Sequence, residues 1–172
     1  MKLSTHFRKA NVALRRAGVD YWAACGTMLG ITRERRLLPH DPDIDFGTFD
    51  WTHHDAIARS FLDGGYEMKT LGLPNYGYEQ CFFWKGEHVA DVFYFYPQGM
   101  RKAWQASYAP RLQRSRFEIA LLIPTRPGEL DGVKTRLPND PEGMCEARYG
   151  PEWRETVKTW DYSRDPYCLV NR

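Results

Sequence analysis

The chain has 172 residues, with 24 Lys+Arg against 22 Asp+Glu and a formal net charge of +2. That length is expected to form one domain over 1–172 with a sizeable core. With 42% hydrophobic, 15% aromatic and 27% charged residues, the composition excludes intrinsic disorder, and the near-neutral balance excludes a nucleic-acid binder that works by bulk charge.

In chain order, Phe7, Ala10, Val12, Ala13 and Leu14 fall near helical spacing and predict a helix over 4–17, closed by Gly18. Tyr21–Cys25 reads as a short buried strand ending at Gly26. Thr27 is placed to cap a second helix running to about Arg35. Pro39 and Pro42 force an extended approach to Asp43–Phe46, which reads as a strand. A helix over 52–63, with His53-His54 at its start as exposed capping residues, stops at Gly64-Gly65. Three extended segments follow, Tyr66–Leu71, Tyr78–Lys85 and His88–Tyr96, and Gly86-Glu87 signals an antiparallel hairpin between the last two. Residues 97–114 are polar and aromatic by turns and yield no element, with Arg111, Arg114 and Arg116 partly alternating with aliphatics. Phe117–Ile123 and Val133–Leu137 read as strands, Pro141–Arg148 as a short helix, and 151–172 as a tail that wraps the surface. The sum is an α+β fold, a small mixed sheet with helices on one or both faces.

No segment offers the ~20 apolar residues that a bilayer demands, the longest apolar run being Ile119–Pro124. The first residues lack the hydrophobic core of a signal peptide, so a cytoplasmic location is expected. Cys25, Cys81, Cys145 and Cys168 form no C-x-x-C pair, and the five histidines do not join them at ligand spacing. Reduced thiols and no zinc site are the expectation.

The informative stretch is Gly26-Thr27-Met28-Leu29-Gly30, then Arg33, then His40-Asp41-Pro42-Asp43-Ile44-Asp45. Residues two apart on a strand share a face, so Asp43 and Asp45 project together while Ile44 turns to the core. Side-by-side carboxylates raise each other's pKa unless a cation lies between them, and Mg2+ or Mn2+ suits such hard oxygen ligands. Asp91 supplies a third acid within the apolar run Ala90-Asp91-Val92-Phe93, where burial is costly without a partner or a metal. Alone, the D-x-D run also fits a solvated turn entering a strand. The ordered set of a Gly-Thr turn opening a helix, a D-x-D strand and a later Asp has the layout of a nucleotidyltransferase-type site.

The run from Trp22 through Gly26–Gly30 and Arg33 to Leu38–Asp45 resembles the LicD family, which includes phosphocholine transferases and fukutin-type ribitol-phosphate transferases. Ala90–Phe93 is similar to that family's Ile-Asp-Ile-Phe strand, and Gly132–Pro138 with Tyr149–Trp153 to its closing element. His40 and Pro42 depart from the family's usual Trp and middle acid. The resemblance implies a nucleotidyltransferase-like mixed β-sheet flanked by helices. It implies Asp43, Asp45 and Asp91 as metal ligands for Mg2+ or Mn2+, with Asp91 alternatively the base for an acceptor hydroxyl and Asp41 in support. Gly26 and Thr27 would contact donor phosphates, and Arg33 would neutralise a pyrophosphate. The implied reaction moves a phosphocholine- or polyol-phosphate-like group from a CDP-linked donor to a glycan hydroxyl, releasing CMP. Two other readings stand beside it: transfer of a nucleoside monophosphate from an NTP to a hydroxyl or protein, and a non-catalytic binding protein of the same fold.

Overall fold

A computed structural model describes residues 1–73, 75–108 and 113–156. Arg111, Cys168 and the expected surface tail beyond Thr156 lie outside the described residues. The chain opens with helix α1 (Leu3–Arg16), strand β1 (Tyr21–Ala23) and helix α2 (Cys25–Leu29), which runs on into a wide π turn over Gly30–Glu34. Strand β2 (Ile44–Thr48) and helix α3 (His54–Asp63) come next. Strands β3 (Glu67–Leu73), β4 (Gly77–Trp84), β5 (Glu87–Gln98), β6 (Lys102–Ser107) and β7 (Gln113–Glu118) complete the main sheet. Helix α4 (Ile119–Leu122), the hairpin β8 (Arg126–Leu130) with β9 (Val133–Leu137), and helix α5 (Pro141–Tyr149) follow. Among the described residues no helix is long and apolar enough to cross a membrane.

The main sheet runs β1-β2-β5-β4-β3, with β6 on the far half of β5 and β7 on β6. The β2–β5 pair is parallel and the other pairs are antiparallel. A parallel pair needs a long crossover, which α3 and the β3–β4 hairpin provide. Its register sets Ile44 beside Ala90, Asp45 beside Asp91 and Phe46 beside Val92, so strand alternation sorts these residues onto two faces.

One face packs under α1 and α3. Phe7 of α1 stacks on Phe46, and Phe61 of α3 lies 3.8 Å from Phe82, centroid to centroid. Ile44, Phe46, Phe82 and Val92 are all fully buried there. At the edge of that layer His6 is buried, bonded to the Tyr66 hydroxyl at 3.1 Å and set edge-on to Trp84. The other face carries Asp45, Asp91, Cys81 and Glu79.

Four sequence expectations change. The apolar run 119–123 is not the end of a strand: β7 stops at Glu118 and one helical turn buries Leu122. A short apolar run has no period of its own, and here the Asn139 and Asp140 backbone N–H groups bond the Leu122 and Leu121 carbonyls, fixing the turn. Thr27 does not cap α2, because Ala24 precedes that helix and the Thr27 hydroxyl is engaged by β2. His53 stands at the N-cap position of α3 without a side-chain capping bond, and His54, inside the helix, stacks on Trp51 at 4.3 Å. The hairpin turn is Lys85-Gly86 rather than Gly86-Glu87, with φ of +53° and +79°, the two left-handed residues of a type I′ turn. Strands β6 and β8, which the sequence left unassigned, extend the sheet and form the small hairpin.

Burial first, then neighbouring positive charge including Lys9, holds the His6 pKa below its ordinary 6.5. The unfolded chain therefore binds this proton more readily, and stability falls as pH drops through 6.5 towards the folded value. His6→Gln should accordingly lose less melting temperature than the parent chain between pH 7.5 and pH 5. Parallel curves in thermal denaturation would remove His6 from that acid-side loss.

Candidate active site

The acid face is built at the point where β2 and α2 meet. The Ala24 N–H donates to the Asp45 carbonyl at 2.9 Å, which carries the β1–β2 ladder up to the start of α2. Asp45 is then gripped twice by α2: its own N–H donates to Thr27 Oγ1 at 2.8 Å, and Gly26 N–H donates to its Oδ2 at 3.1 Å. Cys25, just before, holds φ at +42°, a left-handed conformation unusual for a side-chain-bearing residue, and this aims the Gly26 N–H inward. Gly26 has a second duty. A Cβ there would lie 1.8 Å from Asp41 Oδ2, so only glycine lets the Asp41 carboxylate approach.

Asp41, Asp43 and Asp45 each bring a carboxylate oxygen within 4.8 Å of the others. Ile44 between the last two is fully buried on the opposite face, as the alternation predicts. Asp91 joins the cluster through the strand pairing and adds its charge to both Asp43 and Asp45. Burial, then the Asp43 charge, raises Asp41 to about 7. Burial, then Asp91, raises Asp43, and burial with all three neighbours raises Asp45 well above the usual carboxylate range. What opposes this is a hydrogen bond with Asp41 and then the His88 charge at Asp43, and Arg148 at Asp45.

Three residues of this face escaped the sequence reading. His88 places Nε2 2.8 Å from Asp91 Oδ1 and Nδ1 3.4 Å from Asp43 Oδ2. Strict alternation would put His88 with Ala90 on the core side. The β4–β5 register slips at this point, from Phe82 beside Ala90 to Phe83 beside His88. The bulge turns the imidazole to the acid face. Its bond to Asp91, the largest effect, raises the His88 pKa. Arg148, buried on α5, bonds Gln105 Oε1 at 3.5 Å and supplies positive charge to Asp45. Glu79, buried on β4, accepts the Tyr108 N–H at 3.0 Å and the Cys81 thiol at 3.6 Å, and burial followed by Asp91 raises it to about 7. One acid inside an aromatic strand was its only signal, the same signal that marked Asp91.

Thr27 and Gly26 thus use a hydroxyl oxygen and an N–H to hold Asp45. Arg33 faces away from the acids: it pairs with Glu34 at 2.8 Å and donates to the carbonyls of Trp153 and Glu155, both at 3.2 Å. It lines a cleft of about 710 Å³ with Arg36, His40 and Arg154. Cys25 and Cys81 are raised by burial, so both are protonated thiols and not nucleophiles.

Residues 18–140 match the family described as LicD/FKTN/FKRP, nucleotidyltransferase domain. The chain belongs to this family. The LicD match includes Gly26–Gly30, Arg33, Asp43, Asp45 and Asp91, while Tyr149–Trp153 lies beyond it. The chain is 29% identical over 154 residues to human ribitol-5-phosphate transferase FKTN, covering 89% of this chain and 33% of that protein. It is 28% identical over 142 residues to RT0683 of Rickettsia typhi, covering 81% of this chain and 42% of the relative. The chain thus spans about a third of the length of the FKTN relatives. The solved structure of ANT(2")-Ia in complex with adenylyl-2"-tobramycin aligns over 78% of this chain and 67% of its own, with a TM-score of 0.44 at 14% identity. The mixed sheet with flanking helices is the architecture that the LicD resemblance implied.

Carboxylates that raise one another destabilise the fold until a cation offsets them. With divalent ions chelated, Asp41→Asn should therefore raise the melting temperature, by about 2–4 °C for each kcal/mol of repulsion relieved. A lowered melting temperature would mean that Asp41 is held by attraction instead.

Proposed function

We propose that the chain is a divalent-cation-dependent phosphotransferase that moves a phosphocholine- or polyol-phosphate-like group from a CDP-linked donor to a hydroxyl of a glycan. The observation that carries this reading is the carboxylate set, buried Asp45 and half-buried Asp41 and Asp43 with Asp91 alongside, crowded together and raised by burial and by one another's charge. A donor set made only of hard oxygens, with excess negative charge, fits Mg2+ or Mn2+. The name of the FKTN relatives supports transfer of a sugar-alcohol phosphate in particular.

Asp43 and Asp45 would hold the ion, with Asp91 completing the set and Asp41 behind it. Such an ion, when bound, neutralises the phosphate oxygens of the donor and of the leaving CMP. The rest falls to the chain's own groups. The acceptor oxygen forms a bond to the donor's transferred phosphorus, the bond from that phosphorus to the CMP phosphate breaks, and the hydroxyl proton passes to a carboxylate of the cluster. Asp91, bonded to His88 at 2.8 Å, is the alternative acceptor of that proton. Gly26 and Thr27 serve by fixing Asp45, and the cleft lined by Arg33, Arg36 and Arg154, with Glu34 paired to the first two, is where a pyrophosphate would lie. Positioning and charge neutralisation supply most of the catalysis in such transfers.

Thermal-shift titration tests this with CDP, CTP, ATP and GTP, each with and without Mg2+. Ligand at a hundred times its Kd adds about 2.7 kcal/mol, which is about 5–10 °C in a chain of this size. Mg2+-dependent stabilisation by cytidine nucleotides is expected. Preference for ATP or GTP would favour nucleoside monophosphate transfer, and no shift with any nucleotide would favour a non-catalytic protein. In a CMP-release assay Asp45→Asn should lose at least about 100-fold in turnover. Retained turnover would contradict its place at the metal.

A further inference from the structure

The β4–β5 hairpin gathers a second set of ligand atoms that is chemically unlike the first. Cys81 Sγ, an imidazole nitrogen of His88 and a carboxylate oxygen of Asp91 all lie within 4.8 Å of one another. We infer that Cys81, His88 and Asp91 form a site for a borderline-soft divalent ion of the Zn2+ class, beside the oxygen-only cluster of Asp41, Asp43 and Asp45.

The donor set argues for the ion. Sulfur is a poor ligand for Mg2+, whereas sulfur, imidazole and one carboxylate are the mixed set that Zn2+ or Co2+ takes. Three protein ligands leave a fourth position open, the arrangement of a site that binds something further. The geometry of His88 argues independently. Its Nε2 faces Asp91 at 2.8 Å, and its other nitrogen, Nδ1, faces Asp43 Oδ2 at 3.4 Å. A metal-bound histidine is generally held by a carboxylate on its far nitrogen, which fixes the tautomer and the ring plane. Asp43 stands where that partner belongs. The register shift at Phe82/Phe83 is what turns His88 to the face that carries Cys81 and Asp91.

Access is also provided, because the His88 side chain is 37% exposed while Cys81 and Asp91 are buried beneath it. The sequence predicted no zinc site because Cys81 and His88 lie apart along the chain. The hairpin closes that gap. Without a cation Cys81 keeps its proton, so binding replaces S–H by an S–metal bond and releases the proton to solvent. The site shares Asp91 with the function proposed above.

Co2+ is the probe. Added to the full chain after removal of chelator, it should give a near-ultraviolet sulfur-to-cobalt charge-transfer band that saturates at one equivalent and is displaced by Zn2+. Cys81→Ser should abolish the band. His88→Gln, at a half-exposed side chain that leaves the core intact, should weaken Co2+ binding about 10–100-fold. Asp45→Asn should keep the band while losing the Mg2+-dependent nucleotide response, which separates this site from the one proposed above. Absence of the band at saturating Co2+, or its persistence in Cys81→Ser, would overturn the assignment. A band without any nucleotide response would leave it standing and count against the proposed function alone.

Discussion

Four carboxylates converge where a parallel strand pair meets the start of a helix, and the surrounding structure is arranged to keep them there. Each burial is unfavourable and neighbouring carboxylate charge adds to it, as the raised Asp41, Asp43 and Asp45 record. What holds them is strand register, hydrogen bonding and close backbone approach. The β2–β5 register fixes Asp45 beside Asp91, Gly26 and Thr27 clamp Asp45 from α2, and the missing side chain of Gly26 makes room for Asp41. A protein gains nothing in stability from such a cluster, so its rationale lies in what it binds.

The remaining architecture serves that arrangement. Rings from α1 and α3 bury the opposite face of the sheet, which gives the acids a rigid base. The tight return at Gly30, where a Cβ would meet the Arg36 carbonyl at 2.5 Å, folds the segment carrying Asp41 back over α2. Arg33 then ties that turn to the backbone at Trp153 and Glu155, while α5 brings Arg148 to the acid side. The same turn that presents Asp41 therefore also shapes the basic cleft beside it.

Much of this was legible from short-range pattern. Alternation about Ile44 placed Asp43 and Asp45 together, an acid in an apolar run marked Asp91, and helical spacing found α1 and α3. What was not legible depended on departures from period or on distant packing. The bulge hid His88, because a one-residue slip reverses the face that alternation assigns. Arg148 acts from a helix over a hundred residues downstream of Asp45, and nothing in its own segment reveals the partner. Thr27 looked like a cap because a threonine near a helix start often is one, and only the position of β2 shows its hydroxyl engaged elsewhere. The run 119–123 failed for the opposite reason, having no period at all.

Whether the acids form a cation site is read directly by Mn2+ binding followed by electron paramagnetic resonance. Titrating Mn2+ into the chain should quench the free-ion signal saturably, with Mg2+ competing, and Asp43→Asn or Asp45→Asn should restore it. A free-ion signal that stays undiminished in the parent chain, or is quenched equally in both variants, would contradict a cation site there.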